Sequence, residues 1–401
     1  MDNSQVTVPF VNLDLCHQPI EAELTQAMQN VLQRGDFVLG QAVRNFEAEF
    51  AAASGVEYGI GVGCGTDAIA IGLQACGIKA GDEVILPANT FIATLMGVLK
   101  ANAVPVLTDC DPETALIDLE AANQAVTHKT RAIVPVHLYG QMVSPPQLQD
   151  FAATHNLIVF EDAAQAHLAQ REGYTAGSVG MAAAFSFYPS KNLGGFGDAG
   201  AIVTNDAAIA QKAKTLRNYG APQKYLHTEI GTNSRLDSLQ AAVLNTKLRY
   251  LSSWNGARNT AAQQYDTNLQ PLQDFGIVPI RNQTSTGHVY HLYVIRVTQD
   301  SPSDRDTLQQ TLADKGIQTG IHYPLPCHLQ PAYRYLGYQE GDFPHAETLS
   351  QQVLSLPMYP GLSAELIQKV VQAIADAILP SISTNNSYFQ VGQTTRSSWQ
   401  S

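Results

Sequence analysis

Three groups of residues in this sequence have the types and spacing to do chemistry together. Lys191 stands in FSFYPSKNLGGFGDAG (185–200), between an aromatic run and four glycines. That composition predicts a strand running into a tight, backbone-dominated loop. A lysine held there is poorly hydrated, so its pKa falls and its amine is more often a neutral nucleophile. Asp162 in LIVFEDAAQAH closes an apolar run fit for a central strand, which aims a carboxylate into the crevice where open α/β sheets bind ligands. Its plain alternative is a helix N-cap. Gln165 follows three residues later, on the same side as Asp162 if a helical turn begins there. His167 reads either as part of the site or as a satisfied structural histidine. In GIGVGCGTDA (59–68), the backbone N–H groups of Gly65 and Thr66 and the Thr66 hydroxyl could cradle a phosphate at a helix N-terminus. A ligand-free strand-to-helix turn explains the same residues.

The elements that must position these groups are legible as patterns. From residue 56 to about 215, apolar runs (EVILP 83–87, RAIVPV 131–136, LIVFE 157–161) alternate with helical patterns (67–76, and 144–155 opened by Ser144 as cap). This is an α/β unit with a mostly parallel central sheet. Beyond about 250 the texture changes to a strand at 288–297 and helices at 304–316 and 365–378, a smaller C-terminal α+β domain. The expected division is 1–250 for the N-terminal segment and large domain, 251–380 for the small domain, and 381–401 for a polar, aperiodic loose tail.

Composition narrows the partners. With 23 Lys and Arg against 35 Asp and Glu, a net charge of −12 argues against nucleic acid or an anionic membrane as the main partner. Five scattered cysteines without CxxC spacing suggest neither a disulfide framework nor a metal site. No apolar run is long enough to span a bilayer and no leader is visible, so a cytoplasmic enzyme is expected.

An amine, a buried carboxylate and a phosphate cradle, in the order cradle, Asp, Lys, match the needs of pyridoxal 5'-phosphate. Lysine forms a Schiff base with the aldehyde, and the carboxylate keeps the pyridine nitrogen protonated so that the ring acts as an electron sink. Two readings of other classes compete. A nicotinamide oxidoreductase would rest on the GxGxG of Gly61, Gly63 and Gly65, which lacks the third glycine of the dinucleotide fingerprint. A non-catalytic sensor could reuse the same fold.

The segments GTDAIAIGLQACGIKAGDEVILPANTFIAT, PVHLYGQ, EDAAQAH, FSFYPSKNLGGFGDAGAIVT and NSRLDSLQAAVLNTKL resemble the sugar-nucleotide aminotransferases of the DegT/DnrJ/EryC1/StrS family, in family order from about residue 8 to 378. The resemblance implies a fold-type-I aminotransferase acting as a homodimer with active sites at the subunit interface. It implies Lys191 as the Schiff-base lysine and proton shuttle, Asp162 on the pyridine nitrogen and Gln165 on the phenolic oxygen. Gly65, Thr66 and Ser186 would hold the phosphate, with Asn233 reaching it from the neighbouring subunit and Phe91 stacking on the ring. An ordinary core position on a helix is the other reading of Phe91. Lys191 argues against the dehydratase branch, which carries histidine there. His167-Leu168-Ala169 departs from the usual His-Gly-Ala. The segments at 217–237 and 320–347 look most like enzymes that aminate carbon 3 of dTDP-3-oxo-6-deoxyhexoses with L-glutamate as donor, and similar segments occur in enzymes of UDP-linked 3-oxo sugars. Tyr225, His227, His322 and Tyr323 are therefore expected on the sugar-nucleotide side, although such residues in loops often only pack or bond the backbone.

Overall fold

A computed structural model describes residues 7–379 of the chain, so the tail expected at 381–401 lies outside the described residues. The expected sheet is present: β1 (Tyr58–Val62), β2 (Glu83–Pro87), β3 (Val104–Thr108), β4 (Thr130–Ile133) and β5 (Ile158–Asp162), then after a short hairpin β6 (Gln170–Arg171) and β7 (Tyr174–Thr175), β8 (Ala182–Ser186) and β9 (Gly200–Thr204). Seven of these form one sheet in the order β1-β9-β8-β5-β4-β2-β3. Its strands are parallel except β9, which runs against both β1 and β8. Every residue of β9 and all but Ser186 of β8 are buried, as a sheet covered by helices on both faces requires.

The antiparallel return matters for function. Because β8 and β9 are hydrogen-bonded neighbours with Ser186 opposite Gly200, the connection 187–199 is an excursion from one sheet end. It carries Lys191 over the carboxyl end of β8, beside Asp162 at the carboxyl end of β5. Phe185 and Phe187 pack edge-on against Phe50, with Phe46 completing the cluster. Each buries a full aromatic surface there, worth roughly 2–3 kcal/mol, so the run anchors the loop from below.

The smaller unit is built on β10 (Ile277–Pro279), β11 (Tyr293–Val297) and β12 (Val353–Leu356), an antiparallel sheet covered by the helices Leu251–Leu269, Arg305–Asp314 and Ala364–Ile378. In the last helix Ile367, Val370, Val371, Ile374 and Ile378 are buried at helical spacing, and Ser363 caps it by accepting the Leu366 N–H. The helix Leu251–Leu269 bridges the two cores, with Leu251 in a cluster under the large sheet and Tyr265 in the cluster around β11.

Three local readings need correction. The strand expected at 288–297 begins only at Tyr293, because His288 stacks on Tyr290 and accepts its N–H, which turns the backbone. Ser144 occupies the cap position of the helix Pro145–His155, but its hydroxyl donates to Glu172. No helix follows Asp162: residues 163–169 are consecutive turns.

Candidate active site

Asp162 is the natural starting point, since its carboxylate is almost fully buried at the end of β5. One oxygen accepts the Ala164 N–H at 3.1 Å, a turn contact in place of a helix cap. The other accepts the Thr94 hydroxyl at 2.7 Å, and Thr94 is in turn 2.8 Å from the Thr90 hydroxyl. Burial raises the Asp162 pKa above the ordinary carboxylate range, opposed by the Thr94 bond, the Ala164 N–H and the charge of Lys191. An adjacent buried pair fixes the strand: Glu161 accepts from Gly177, Val179 and Gly180 N–H groups and lies 2.9 Å from His137. The His137 Nδ1 accepts the Val143 N–H, so its Nε2 carries the proton and donates to Glu161.

Lys191 sits in the turn after β8, its backbone N–H held by the Tyr188 carbonyl. Burial lowers its pKa to about 8, against the pull of Asp162 in the other direction. Its Nζ is 3.5 Å from the Nε2 of His291, which burial holds well below the usual histidine range. A neutral imidazole at that point can accept a hydrogen bond from the ammonium form of Lys191.

The glycine-rich turn and Ser186 meet as expected. A Cβ on Gly65 would fall 2.7 Å from the Cβ of Ser186, and one on Gly200 only 2.5 Å from the backbone carbonyl of Cys64. Gly65 and Thr66 open the helix Gly65–Ala75, so free backbone N–H groups and the Ser186 hydroxyl converge on one cradle.

Phe91 is not a core residue. It is half-exposed at the N-cap position of the helix Ile92–Lys100, with its ring 5.3 Å from that of Tyr323. Tyr323 receives the Gln165 amide at 3.1 Å, while the Gln165 oxygen accepts the Tyr139 N–H at 2.7 Å. Gln165 therefore reaches the site from a turn, without the helix its spacing suggested. His322 bonds the Ser355 hydroxyl, and burial takes its pKa down to about 4.

His167 is structural: its Nε2 lies 2.9 Å from the Ser186 carbonyl and its ring leans on Phe185 and Phe187. Leu168 beside it has φ 61°, the left-handed region where glycine is at ease, which accounts physically for glycine being the expected residue there. Tyr225, His227 and Asn233 are not brought to Lys191 within this chain. Tyr225 is 84% exposed and His227 bonds the Tyr219 carbonyl in the same outlying loop. Asn233 is exposed at a cleft it shares with Gly63 and Cys64.

Sequence reading missed Thr94 and His291. Thr94 lies three residues after Phe91, one helical turn, which was a usable signal. His291 was hidden inside the over-extended strand.

These residues fit pyridoxal phosphate. The cradle is a space a single Cβ would fill, the buried carboxylate is poised for a ring nitrogen, Phe91 offers a free aromatic face, and Lys191 has a lowered pKa. A mostly parallel sheet with one reversed strand beside a lysine loop, joined to a small α+β unit, defines the fold-type-I pyridoxal-phosphate aminotransferases. The chain belongs to the DegT/DnrJ/EryC1/StrS aminotransferase family, which it matches over residues 18–375. It is 45% identical over 367 residues to the erythromycin biosynthesis sensory transduction protein EryC1 of Saccharopolyspora erythraea, covering 92% of this chain and 98% of that one. It is 42% identical over 369 residues to dTDP-3-amino-3,4,6-trideoxy-alpha-D-glucose transaminase of Streptomyces venezuelae, covering 92% and 96%. The crystal structure of Streptomyces venezuelae DesV superposes with a TM-score of 0.88 at 42% identity, covering 92% of this chain and 98% of that one. The chain is a pyridoxal-phosphate-dependent aminotransferase.

Proposed function

We propose that the enzyme moves the amino group of L-glutamate to carbon 3 of a dTDP-3-oxo-6-deoxyhexose, giving a dTDP-3-amino-3,6-dideoxyhexose and 2-oxoglutarate. The observation that carries the choice of sugar is the 42% identity, across nearly the whole chain, to a transaminase named for a dTDP-3-amino sugar. When bound, pyridoxal phosphate supplies an electron sink that makes the carbon–hydrogen bond next to the exchanging nitrogen acidic.

In this reading Gly65, Thr66 and Ser186 hold the phosphate and Asp162, whose charged form the Thr94 hydroxyl favours, pairs with the ring nitrogen. Gln165 reaches the phenolic oxygen and Phe91 covers one ring face. Lys191 binds the cofactor, and once released its Nζ carries the proton between substrate and cofactor, with His291 as the neutral neighbour that accepts a hydrogen bond from its ammonium form. His322 and Tyr323 bound the sugar side. The enzyme works as a cytoplasmic homodimer. Exposed Tyr225, Ile230 and Leu226 on the loop 219–232, with Asn233 beside them, then enter the partner's site. Among the described residues no helix is long and apolar enough to cross a membrane, which agrees with this placement.

The test is incubation of the holoenzyme with L-glutamate and a panel of dTDP- and UDP-linked 3-oxo and 4-keto sugars, with mass spectrometry of products. Amination of the dTDP-3-oxo sugar is expected. Amination only of UDP-linked or 4-keto sugars would refute the choice of sugar, and no amination of any sugar would favour a sensor on the same fold.

A further inference from the structure

Beside Lys191, on the side of the N-terminal segment, a small cavity is lined by Asn12, His17, Lys247, Arg258 and Tyr359 among others, and none of its lining side chains is acidic. Lys247 is 3% exposed and Arg258 4%. Lys247 donates to the Gly194 carbonyl at 2.5 Å and to the His17 Nε2 at 2.9 Å. Arg258 donates to the carbonyls of Tyr290 and Met358, both at 3.0 Å, and its Nε has no partner among the described residues. Every one of these partners is neutral. Burial takes the Lys247 pKa down to about 8 and that of Arg258 to about 10, which leaves both cationic at neutral pH. Two buried cations without a counter-charge among the described residues are costly. Such an arrangement persists where a ligand brings the missing negative charge.

Two anions must come near Lys191 besides the cofactor phosphate, whose cradle at Gly65 and Ser186 lies elsewhere. An amino donor carries its α-carboxylate on the carbon that exchanges nitrogen, so that group has to sit beside Lys191. A sugar diphosphate is held away from carbon 3 by the sugar ring. Size points the same way, because the space is about 20 Å³, room for one water-sized group such as a carboxylate oxygen.

We propose that Lys247, oriented by His17 and backed by Arg258, is the subsite for the α-carboxylate of the amino donor. The inference rests on L-glutamate being the donor. Its test is the loss of the cofactor's visible band on titrating holoenzyme with L-glutamate or with its α-amide, together with half-saturation by the keto-sugar in steady state. In Lys247→Gln the half-saturation for L-glutamate rises roughly tenfold or more while that for the keto-sugar and the band of the unreacted holoenzyme hold within about twofold. The preference for glutamate over its α-amide collapses, and Lys247→Arg recovers most of it. Because Lys247 also holds Gly194 in the lysine loop, Lys247→Gln could fail to retain cofactor. His17→Ala leaves that contact in place and then carries the test, with an expected rise of roughly threefold to tenfold for glutamate alone. Unchanged glutamate half-saturation in these variants overturns the proposal, as does a rise confined to the keto-sugar, which would mark a diphosphate site. A wild-type enzyme that accepts no nitrogen from L-glutamate removes the donor reading itself, a result distinct from a working wild type with unaffected variants.

Discussion

In the proposed function Lys191 is the residue on which the chemistry turns, and its pKa decides how much of it is usable. At pH 7 an amine of pKa about 8 is neutral in about a tenth of molecules, while at its ordinary value of 10.5 the fraction is about three in ten thousand. Burial drives the shift and Asp162 limits it. The neutral fraction grows as pH rises towards the pKa and then levels off. The rate at which apoenzyme acquires borohydride-fixable pyridoxal phosphate is therefore expected to climb up to about pH 8 and flatten above it. Stopped-flow absorbance across pH 6 to 10 checks this, and a rate still climbing steadily to pH 10 contradicts it. Lys191 and Asp162 stood out in the sequence because Asp162 closes an apolar run and Lys191 follows one into a glycine-rich loop, and strand ends are where α/β sheets bind ligands. His291 could not be ranked, since what marks it is a distance to Lys191 across the fold, whereas Thr94 carried only its spacing from Phe91.

At the scale of elements, the cradle depends on how closely β9 approaches the turn after β1. At Gly200 a side chain has no room: a Cβ there meets the carbonyl carbon and oxygen of Cys64, the residue that enters the cradle helix. Gly200→Ala has to push that helix N-terminus away, so cofactor affinity should fall by roughly tenfold or more, with a loss of about 1–3 kcal/mol in stability. Equilibrium titration with pyridoxal phosphate and denaturant unfolding measure the two effects. Unchanged affinity would show that the cradle tolerates displacement. β1 is braced from behind by the ion pair of Arg217 and Glu47, with Arg217 also donating to the Gly61 carbonyl at 2.6 Å. The strands and helices of this region were legible from their periods, and the glycine turn from its composition. The reversed direction of β9 was not, because an all-apolar strand reads the same in either sense. The left-handed backbone of Leu168 was likewise invisible, although its odd residue type was noticed.

For the whole molecule, the exposed positions of Tyr225, His227 and Asn233 separate a site completed within one chain from one completed by a second copy. If Asn233 acts across a twofold interface, Lys191→Ala and Asn233→Ala chains each lack one half of every site. Refolded together, half of the dimers are hybrids, and each hybrid holds one intact site, so activity should return to about a quarter of wild type. No recovery on mixing would place Asn233 in its own subunit's site or outside it. The bridging of both cores by Leu251–Leu269 was not legible, since a helix does not say in sequence which core it faces. The most direct test joins all three scales: holoenzyme is given heavy-nitrogen L-glutamate and the dTDP-3-oxo-6-deoxyhexose, and the product is read by nuclear magnetic resonance. The label should appear on carbon 3 with the wild-type chain and nowhere with Lys191→Ala, while label on another carbon, or transfer that survives the loss of Lys191, would contradict the assignment.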